Sequence, residues 1–409
     1  MTISRSIFLD NIGTLCTMDG TGPGGLGIMK DAMVVVIDGV IDHVGSIGSA
    51  AYPTDAVVID VAGDAVVPGL IDCHTHAVFA GSRADEFARR ARGEDYLAIA
   101  AAGGGIRSTM RAVRAADVDE LAHLAARRVR AMARRGVTTV EIKSGYGLSV
   151  EGELKMLRAA KLLPALTHVD IVTTLLAAHA VPPEAKNASA WIEQVIAELL
   201  PLVAAEKLAT ACDVFVEKGS FTVDDGRRLL RAAQDLGLAA VVHAEQMSWQ
   251  GGARLAAEVG ARSAGHLEHI TVDDARALAD AGVVAEILTT AQVFLKGQRP
   301  VPGRMLKDAG CVVAIGTDFN PGTAMCADLP LAAGLAVTQA GLTADEALYA
   351  VTAGSARALG LLDRGMVKRG LRADLVVVDG GSPFELLYRW SEPVARVVVA
   401  GGVVHGVAA

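Results

Sequence analysis

The chain has 409 residues, of which 52% are hydrophobic and 21% charged, a globular composition with room for one large domain and a smaller one. Its formal net charge of −8 argues against a nucleic-acid partner, because phosphate binding needs a basic face. The five cysteines are scattered without a CxxC pair, no signal-peptide pattern opens the chain, and no apolar run reaches about 20 residues. Together these features predict a cytoplasmic protein without a membrane partner.

Short β-rich segments separated by Gly, Pro and Asp occur at both chain ends. In the first 64 residues they cover residues 6–9, 32–38 and 57–61, and from Ala373 onward the sequences ADLVVVDG and VARVVVAGG continue the pattern. Neither end has enough strands for a sandwich by itself. We therefore expect residues 1–64 and 366–409 to form one composite β-sandwich domain.

Between them, residues 65–365 alternate apolar runs of strand length with helical segments, the pattern of parallel βαβ units. Polar caps at Asp117, Thr222 and Thr271, each followed by acidic residues, predict helix starts. Eight repeats predict an α/β fold, a (β/α)8 TIM-type barrel. An open doubly wound sheet is the alternative, but no Gly-rich phosphate fingerprint follows the first run. The predicted strands are Ala65–Ile71, Val137–Ile142, Ile171–Ala177, Cys212–Val216, Ala239–Val242, Ser263–Gly265, Val283–Leu288 and Val312–Ile315.

Polar residues that could carry chemistry concentrate just past these runs, where a barrel of this type places its function. His266 follows the sixth run and is a candidate proton shuttle or carbonyl polariser, with a satisfied core histidine as the alternative. The other strand-end candidates are His74, His76, Lys143, Tyr146, His179, Glu217, His243 and Asp318.

Four of these residues form a candidate metal site. His74 and His76 alternate along an extended segment, so both imidazoles can face one ion. With His243 and Asp318 they make a set of three nitrogens and one carboxylate that suits Zn²⁺ or Fe and can activate a water. For Asp318 a helix N-cap role is the alternative, because Pro321 lies nearby.

Several motifs in this sequence resemble those of the amidohydrolase superfamily, and within it those of the imidazolonepropionases. The segment Val67-Pro-Gly-Leu-Ile-Asp-Cys-His-Thr-His76 is similar to the opening barrel strand of the superfamily. The likeness runs through most of the chain. The segments that resemble the imidazolonepropionases are His74–Arg83, Ala102–Ile106, Glu141–Gly147, Ala177–Ala180 and Gly316–Thr323.

The resemblance implies hydrolysis of the ring C–N bond of 4-imidazolone-5-propanoate to N-formimidoyl-L-glutamate in L-histidine degradation. It implies one Zn²⁺ or Fe³⁺ per subunit on His74, His76, His243 and Asp318, and it suggests a homodimer. The positions that match substrate-contacting residues of the family are Arg83, Tyr96, Tyr146, His179, Gln246, Asn320, Gly322 and Thr323.

The chemistry of these residue types agrees with a substrate that carries a carboxylate tail. Arg83 offers planar, bidentate recognition of a carboxylate, although an ion pair with Asp85 or Glu86 is the alternative. Asn320 to Thr323 form a turn whose backbone N–H groups could face a carboxylate, although the Asn-Pro-Gly sequence explains a turn by itself. Tyr146 and His179 could hydrogen-bond the substrate or simply pack in their loops.

One position departs from the related deaminases, which place a proton-shuttling Glu three residues after the fifth-strand His. Here that residue is Gln246, which can hydrogen-bond the ring as a catalytic residue but cannot move a proton, so proton transfer falls to Asp318 or His266. Glu245 should point elsewhere on an extended segment. The fourth run ends in Glu217 rather than in the modified Lys of binuclear relatives, which favours one metal over two.

Two other functions fit the same fold. A nucleobase deaminase of the cytosine or guanine type would have no use for a carboxylate-binding Arg83, and Gln246 in place of Glu counts against it. A non-catalytic scaffold usually lacks metal ligands, whereas all four candidate ligands are present here.

Overall fold

The computed structural model describes residues 2–3, 6–51, 53–94, 103–297 and 299–406. The substrate contact expected at Tyr96 lies outside the described residues. Within them the chain forms two sheets, one of nine strands and one of eight. In chain order the strands are β1 Thr2–Ile3, β2 Ser6–Cys16, β3 Ile28–Ile37, β4 Val40–Ser46, β5 Val57–Asp60, β6 Ala65–Pro68, β7 Leu70–Asp72, β8 Val137–Lys143, β9 Asp170–Ala178, β10 Ala211–Val216, β11 Ala239–Ala244, β12 Ser263–His266, β13 Val284–Ile287, β14 Val313–Ile315, β15 Leu375–Val378, β16 Ala395–Ala400 and β17 Val403–Gly406.

The eight-stranded sheet is the predicted parallel barrel. Its strands follow one another in chain order from β7 to β14, each hydrogen-bonded to the next. Past the last strand, the N–H of Asp318 donates to the carbonyl of His74 and the N–H of His76 to the carbonyl of Phe319, both at 2.9 Å. These bonds join β14 to β7 and bring the two ends of the sheet together. The (β/α)8 prediction is confirmed, and the open doubly wound alternative is wrong.

Seven of the eight predicted barrel strands are confirmed to within two residues at either end, but the first is wrong. The run from residue 65 to 71 is two strands in two different sheets. Gly69 separates them, and a Cβ there would lie 2.2 Å from Thr138 Oγ1, so the crossing from one sheet to the other needs a residue without a side chain. The pairing of β6 with β15 and β2 favours a domain boundary at Gly69 over one after residue 64. The division into 1–64 plus 366–409 and 65–365 stays a prediction.

The nine-stranded sheet is built from both chain ends, as the sequence predicts. Its order is β1-β17-β16-β15-β6-β2-β3-β4, with β5 beside β2. The LVVV segment of β15 is buried along its whole length between two neighbours, as β-branched residues in a central strand usually are. A separate apolar core supports this sheet. The fold class of barrel plus small β domain is confirmed.

Helices cover the outside of the barrel, and the predicted helix starts are confirmed. The side chains of Asp117, Thr222 and Thr271 each accept a hydrogen bond from the backbone N–H three residues on, which satisfies a donor left free at a helix start. The described α-helices are Ala84–Ala91, Ile106–Ala115, Val118–Ala133, Val150–Thr167, Ala188–Gln194, Leu200–Ala205, Val223–Asp235, Gly252–Val259, Val272–Asp280, Thr289–Phe294, Gly303–Asp308, Leu329–Gln339, Ala344–Tyr349, Ser355–Ala358 and Glu385–Tyr388.

One helical stretch of the described chain, residues 188–205, is long and apolar enough to cross a membrane by length and composition alone. It runs through a π-helical turn at Val195–Leu199 and connects β9 to β10. Trp191 and Leu200 on it belong to the main hydrophobic core, and the Trp191 indole donates to the carbonyl of Ala177 at 2.9 Å. It is therefore the outer helix of a barrel repeat.

Candidate functional site

A cavity of about 600 Å³ opens at the C-terminal ends of the barrel strands. This is the end at which parallel barrels place their binding groups. Among the predicted site residues, the ones that line the cavity are His76, Arg83, Tyr146, His179, His243, Gln246, His266, Asp318, Asn320 and Thr323.

The four predicted metal ligands meet at the floor of this cavity, and all four are buried. His76 Nε2 lies 3.3 Å and His74 Nε2 3.7 Å from Asp318 Oδ1, and His74 Nε2 is 3.0 Å from His243 Nε2. Donor atoms about 2.0–2.1 Å from a tetrahedral metal lie roughly 3.3 Å from one another. The separations from Asp318 to His74 and His76 therefore fit donors around a single ion, and His74 also belongs to a second group of close donors with His243 and His266.

Two glycines make room for His74 among the strands. A Cβ on Gly265 would lie 2.9 Å from His74 Cε1, and one on Gly316 would lie 2.7 Å from His74 Cβ. Both distances are shorter than a carbon–carbon contact tolerates. The imidazole can reach its position only because neither neighbour has a side chain.

Carboxylates behind two of the imidazoles fix their ring orientation. His74 Nδ1 lies 2.8 Å from Glu286 Oε2, and His243 Nδ1 lies 2.8 Å from Asp213 Oδ2. A carboxylate in its ionised form can only accept a hydrogen bond, so these neighbours favour a proton on Nδ1 of each ring, which leaves the lone pair of Nε2 facing the cavity floor. This is the tautomer that a metal ligand needs.

Burial keeps the imidazoles neutral and therefore able to bind a cation. It lowers the pKa of His74 well below its usual range, that of His76 to about 3 and that of His243 to about 4. The buried Nδ1 of His76 has no hydrogen-bond partner among the described residues. Neutral imidazoles of this kind are the form in which histidine binds a metal ion.

His266 lies closer to this cluster than the sequence indicates. Its donor nitrogen lies within 4.8 Å of those of His74 and His243. Burial by itself would lower the pKa of His266, but the carboxylate of Glu268, 3.8 Å from its Nδ1, raises that pKa above its usual value. His266 therefore differs from its neighbouring imidazoles in the direction in which its pKa is shifted.

Asp318 sits at a strained position at the barrel seam. Its φ is +51°, a left-handed conformation that a non-glycine residue adopts at a cost. The preceding residue, Thr317, is held by Asp72, whose carboxylate accepts from the Thr317 N–H at 3.0 Å and from its hydroxyl at 2.7 Å. Burial raises the pKa of Asp318, which makes this carboxylate a better proton acceptor than an exposed one.

Arg83, Tyr146 and His179 line the upper part of the cavity. Arg83 Nε donates to Glu86 Oε2 at 2.9 Å, so the predicted alternative of an ion pair is present while the guanidinium still borders the cavity. His179 stacks on His76 with ring centroids 5.1 Å apart, and its Nδ1 lies 3.1 Å from the carbonyl of Gly145. Tyr146 packs 5.4 Å from the His179 ring.

The turn after Asp318 is held together by one side chain. Asn320 Oδ1 accepts from the backbone N–H groups of Gly322 at 2.8 Å and Thr323 at 2.7 Å. The sequence predicts these two N–H groups as candidates for binding a carboxylate, but both already donate to Asn320 Oδ1. A Cβ on Gly322 would lie 2.2 Å from Arg83 Nη1, so this glycine admits the guanidinium to the cavity wall.

Gln246 borders the cavity, and the two acids near it serve the backbone instead. Glu245 accepts from the N–H groups of Gln250 at 2.6 Å and Ala253 at 3.2 Å. It therefore points away from the cavity, although the segment is not extended there, because the φ of Glu245 is +57°. Glu217 accepts from the N–H groups of Met247 at 2.9 Å and Ser248 at 3.2 Å. Glu217 therefore holds the loop that presents Gln246.

Sequence reasoning missed the acids inside the barrel and named Lys143 only as a residue at a strand end. Asp213 and Glu286 lie within predicted strands, and Lys143 and Glu141 lie behind the histidines. The available signal was a charged residue in the middle of an apolar run, which is costly to bury unless it has a partner. Arg90 was missed as well; it borders the cavity, and its Nη2 donates to the carbonyl of Gly322 at 3.0 Å.

Comparison with protein families and curated proteins gives concordant results. The family model described as "Amidohydrolase family" matches residues 65–408. The imidazolonepropionase of Myxococcus xanthus (strain DK1622) is 48% identical over 377 residues, covering 91% of this chain and 89% of that protein. That of Idiomarina loihiensis is 43% identical over 386 residues, covering 94% and 95%.

Solved structures support the fold alone, because their sequence identities are low. An adenosine deaminase from Xanthomonas campestris with bound zinc matches with a TM-score of 0.71 and 21% identity, covering 97% of this chain and 92% of that one. The N-isopropylammelide isopropylaminohydrolase of Burkholderia multivorans matches with a TM-score of 0.70 and 19% identity, covering 98% of each chain.

Proposed function

Because the chain belongs to the amidohydrolase family and, within it, to the imidazolonepropionases, we propose that it hydrolyses the ring C–N bond of 4-imidazolone-5-propanoate, giving N-formimidoyl-L-glutamate in L-histidine degradation. The observation that carries the proposal is a pair of buried donor groups that share His74, one with His76 and Asp318 and one with His243 and His266, at the floor of a cavity whose wall includes Arg83. The proposal includes the cytoplasmic location that the sequence composition predicts and the homodimer that the family resemblance suggests.

We infer that one zinc or iron ion is held by His74, His76, His243 and Asp318. The fit rests on the neutral imidazoles, on the donor separations and on the tautomers that Asp213 and Glu286 impose. Such an ion supplies a water of lowered pKa and polarises a carbonyl oxygen.

The substrate is held by its ends. The Arg83 guanidinium pairs with the propionate carboxylate and places the ring over the cavity floor. Gln246 hydrogen-bonds the ring, while Tyr146 and His179 contact it or the carboxylate from the cavity wall. Asn320 and the Gly322–Thr323 turn complete that wall.

The reaction adds water across the ring amide bond. Asp318, whose pKa burial raises, accepts a proton from the attacking water, and the oxygen bonds to the ring carbonyl carbon. His266, whose pKa is raised by the carboxylate of Glu268, donates a hydrogen bond to the oxyanion that develops. The C–N bond then breaks and Asp318 returns the proton to the leaving nitrogen. The product has a new carboxylate and a free formimidoyl amine.

The test is the ultraviolet absorbance of imidazolone propionate, followed with wild type, Arg83→Ala and Arg89→Ala. Arg83→Ala should lower kcat/KM about 10- to 100-fold, because a hydrogen bond to a charged group contributes about 1.5–3 kcal/mol. Arg89 lies on the same helix but pairs with Glu94 at the surface, so Arg89→Ala should match wild type. A wild-type enzyme that ignores this substrate and releases ammonia from cytosine or guanine would overturn the proposal.

A further inference from the structure

We propose that Lys143 is a positioning residue for the metal centre: with Glu141, Asp213 and Glu286 it forms a buried ion cluster that sets the orientation of the imidazoles of His243 and His74. The inference rests on the metal site of the proposed function, and it adds residues that contact neither substrate nor metal.

Lys143 is the centre of the cluster. It is the last residue of β8, and its side chain is 1% exposed. Its Nζ lies 3.0 Å from Glu141 Oε1 and 3.1 Å from Asp213 Oδ2. An ammonium group in this position hydrogen-bonds Glu141 and forms an ion pair with Asp213, and it thereby limits the orientations that both carboxylates can adopt.

Asp213 connects Lys143 to His243. The same oxygen that faces the ammonium, Oδ2, lies 2.8 Å from His243 Nδ1, and the other oxygen accepts from the His243 backbone N–H at 3.1 Å. Both the backbone and the ring of His243 are therefore tied to one carboxylate, which Lys143 holds in place.

Glu141 connects Lys143 to the segment that contains the imidazoles of His74 and His76. Glu141 Oε2 accepts from the N–H of Thr75 at 3.2 Å, and the Thr75 hydroxyl donates to the Glu141 carbonyl at 2.6 Å. The Lys143 N–H donates to the Thr75 carbonyl at 2.9 Å. Thr75 separates the two histidines of the alternating pair, so the cluster fixes the backbone from which both project.

Glu286 completes the arrangement on the far side of the barrel. Its Oε2 lies 2.8 Å from His74 Nδ1, and it shares with Lys143 and Glu141 a small space of about 10 Å³ inside the barrel. Taking four charges out of water is expensive, and hydrophobic residues of the same volume usually stabilise a fold at least as well. A cluster this costly is best explained by the geometry it imposes on the ligands.

The proposal is tested by zinc titration of metal-free protein against a chromophoric chelator, without substrate. Outer partners of metal ligands contribute about 10- to 100-fold to metal affinity, so Lys143→Met should weaken zinc binding by that factor. At saturating zinc its kcat should fall while KM stays unchanged, because the side chain lies behind the ligands and not along the cavity. The isosteric Asp213→Asn should weaken zinc binding in the same way, and it decides the question if Lys143→Met does not fold.

Arg364→Met is the matched control. Arg364 is also a buried cation, and it bonds to Thr139 and to Asp170 near the starts of β8 and β9, at the other end of the barrel. This variant should lose thermal stability yet bind zinc as wild type does. Wild-type zinc affinity in both Lys143→Met and Asp213→Asn would overturn the inference. Because substrate is absent from this titration, failure of the proposed hydrolysis would appear only in the ultraviolet assay.

Discussion

At the scale of single residues, His74 is the most tightly constrained side chain of the site. Its Nδ1 faces Glu286, its Nε2 faces His243 and Asp318, and the glycines at 265 and 316 border its ring and its Cβ. Such a residue is held by close packing on one side and by hydrogen bonds on the other. Small changes in its neighbours should therefore alter the metal centre more than they alter the fold.

The variant Gly265→Ala should alter the metal centre more than it alters the fold. The added methyl would meet His74 Cε1 at 2.9 Å and Nδ1 at 3.0 Å, so the ring must turn away from Glu286 or from the ion. Overpacking of this kind costs about 1–3 kcal/mol, which corresponds to a loss of zinc affinity of roughly 5- to 150-fold. Metal content after dialysis against a weak chelator measures the effect.

The control is Gly381→Ala, where the nearest atom is 3.8 Å from the new Cβ. This variant should retain the wild-type metal content. A Gly265→Ala protein that keeps its metal after the same dialysis would show that the His74 ring can shift to accept the added methyl group without losing the metal ion.

At the scale of elements, helix starts connect the outer layer of the barrel to the loops of the site. The helix Val272–Asp280 follows the strand that ends at His266, and Asp274 in its first turn is buried. Its carboxylate accepts from the Thr271 hydroxyl at 2.7 Å and from the Trp249 indole at 2.8 Å, and it pairs with Arg254. One acid thus joins a helix start to the loop that follows the fifth barrel strand.

Asp274→Asn should lower the free energy of unfolding at pH 7 by about 1–3 kcal/mol, as loss of charge-assisted bonds does. Burial opposes it, but the bonds from Thr271, Trp249 and Arg254 hold the pKa of Asp274 below its ordinary value of 3.8. The unfolded chain then binds more protons in acid, so this contribution is present above about pH 4 and is lost as the pH falls further.

Urea unfolding at pH 7 and at lower pH, followed by far-ultraviolet circular dichroism, measures the difference, which should shrink in acid. Asp273→Asn is the control. The Asp273 side chain is 78% exposed, and an exposed ion pair such as the one it forms with Arg276 contributes little to stability. A deficit for Asp274→Asn that is the same at every pH would contradict the ionic origin of the contribution.

At the scale of the whole molecule, the barrel carries an acidic interior that a cation would balance. At its centre Lys143 pairs with Glu141 and Asp213, and the buried acids Glu286 and Asp318 lie close to the imidazoles of the site. Burial raises the pKa of Glu286 to about 7, a sign of how poorly this space tolerates further negative charge. A bound ion should therefore stabilise the entire barrel.

Removal of the metal should lower the Tm while leaving the far-ultraviolet circular dichroism in place. A ligand present at 100 times its Kd stabilises the folded state by about 2.7 kcal/mol. Differential scanning calorimetry with and without a chelator measures the shift, and added zinc or iron should reverse it whereas calcium, which prefers six to eight oxygen ligands, should not. An unchanged Tm on complete metal removal would contradict this expectation.

Sequence alone determined the barrel, the composite β domain and the residues at the strand ends. Strand-length apolar runs and helix caps are local signals, and the position of a residue just past a run is enough to assign it to the C-terminal mouth. For this reason His243, His266 and Asp318 could be placed near His74 although they are far from it in the chain.

Only the tertiary structure decided which groups stand behind the ligands and where the first barrel strand begins. Asp213 and Glu286 appear in the sequence as single acids within apolar strands. Their pairing with His243 and His74 depends on the register between neighbouring strands and on the stagger of a nearly closed barrel. The break at Gly69 depends on the close approach of Thr138. Contacts between residues far apart in sequence are properties of the packed chain, and no local pattern encodes their distances.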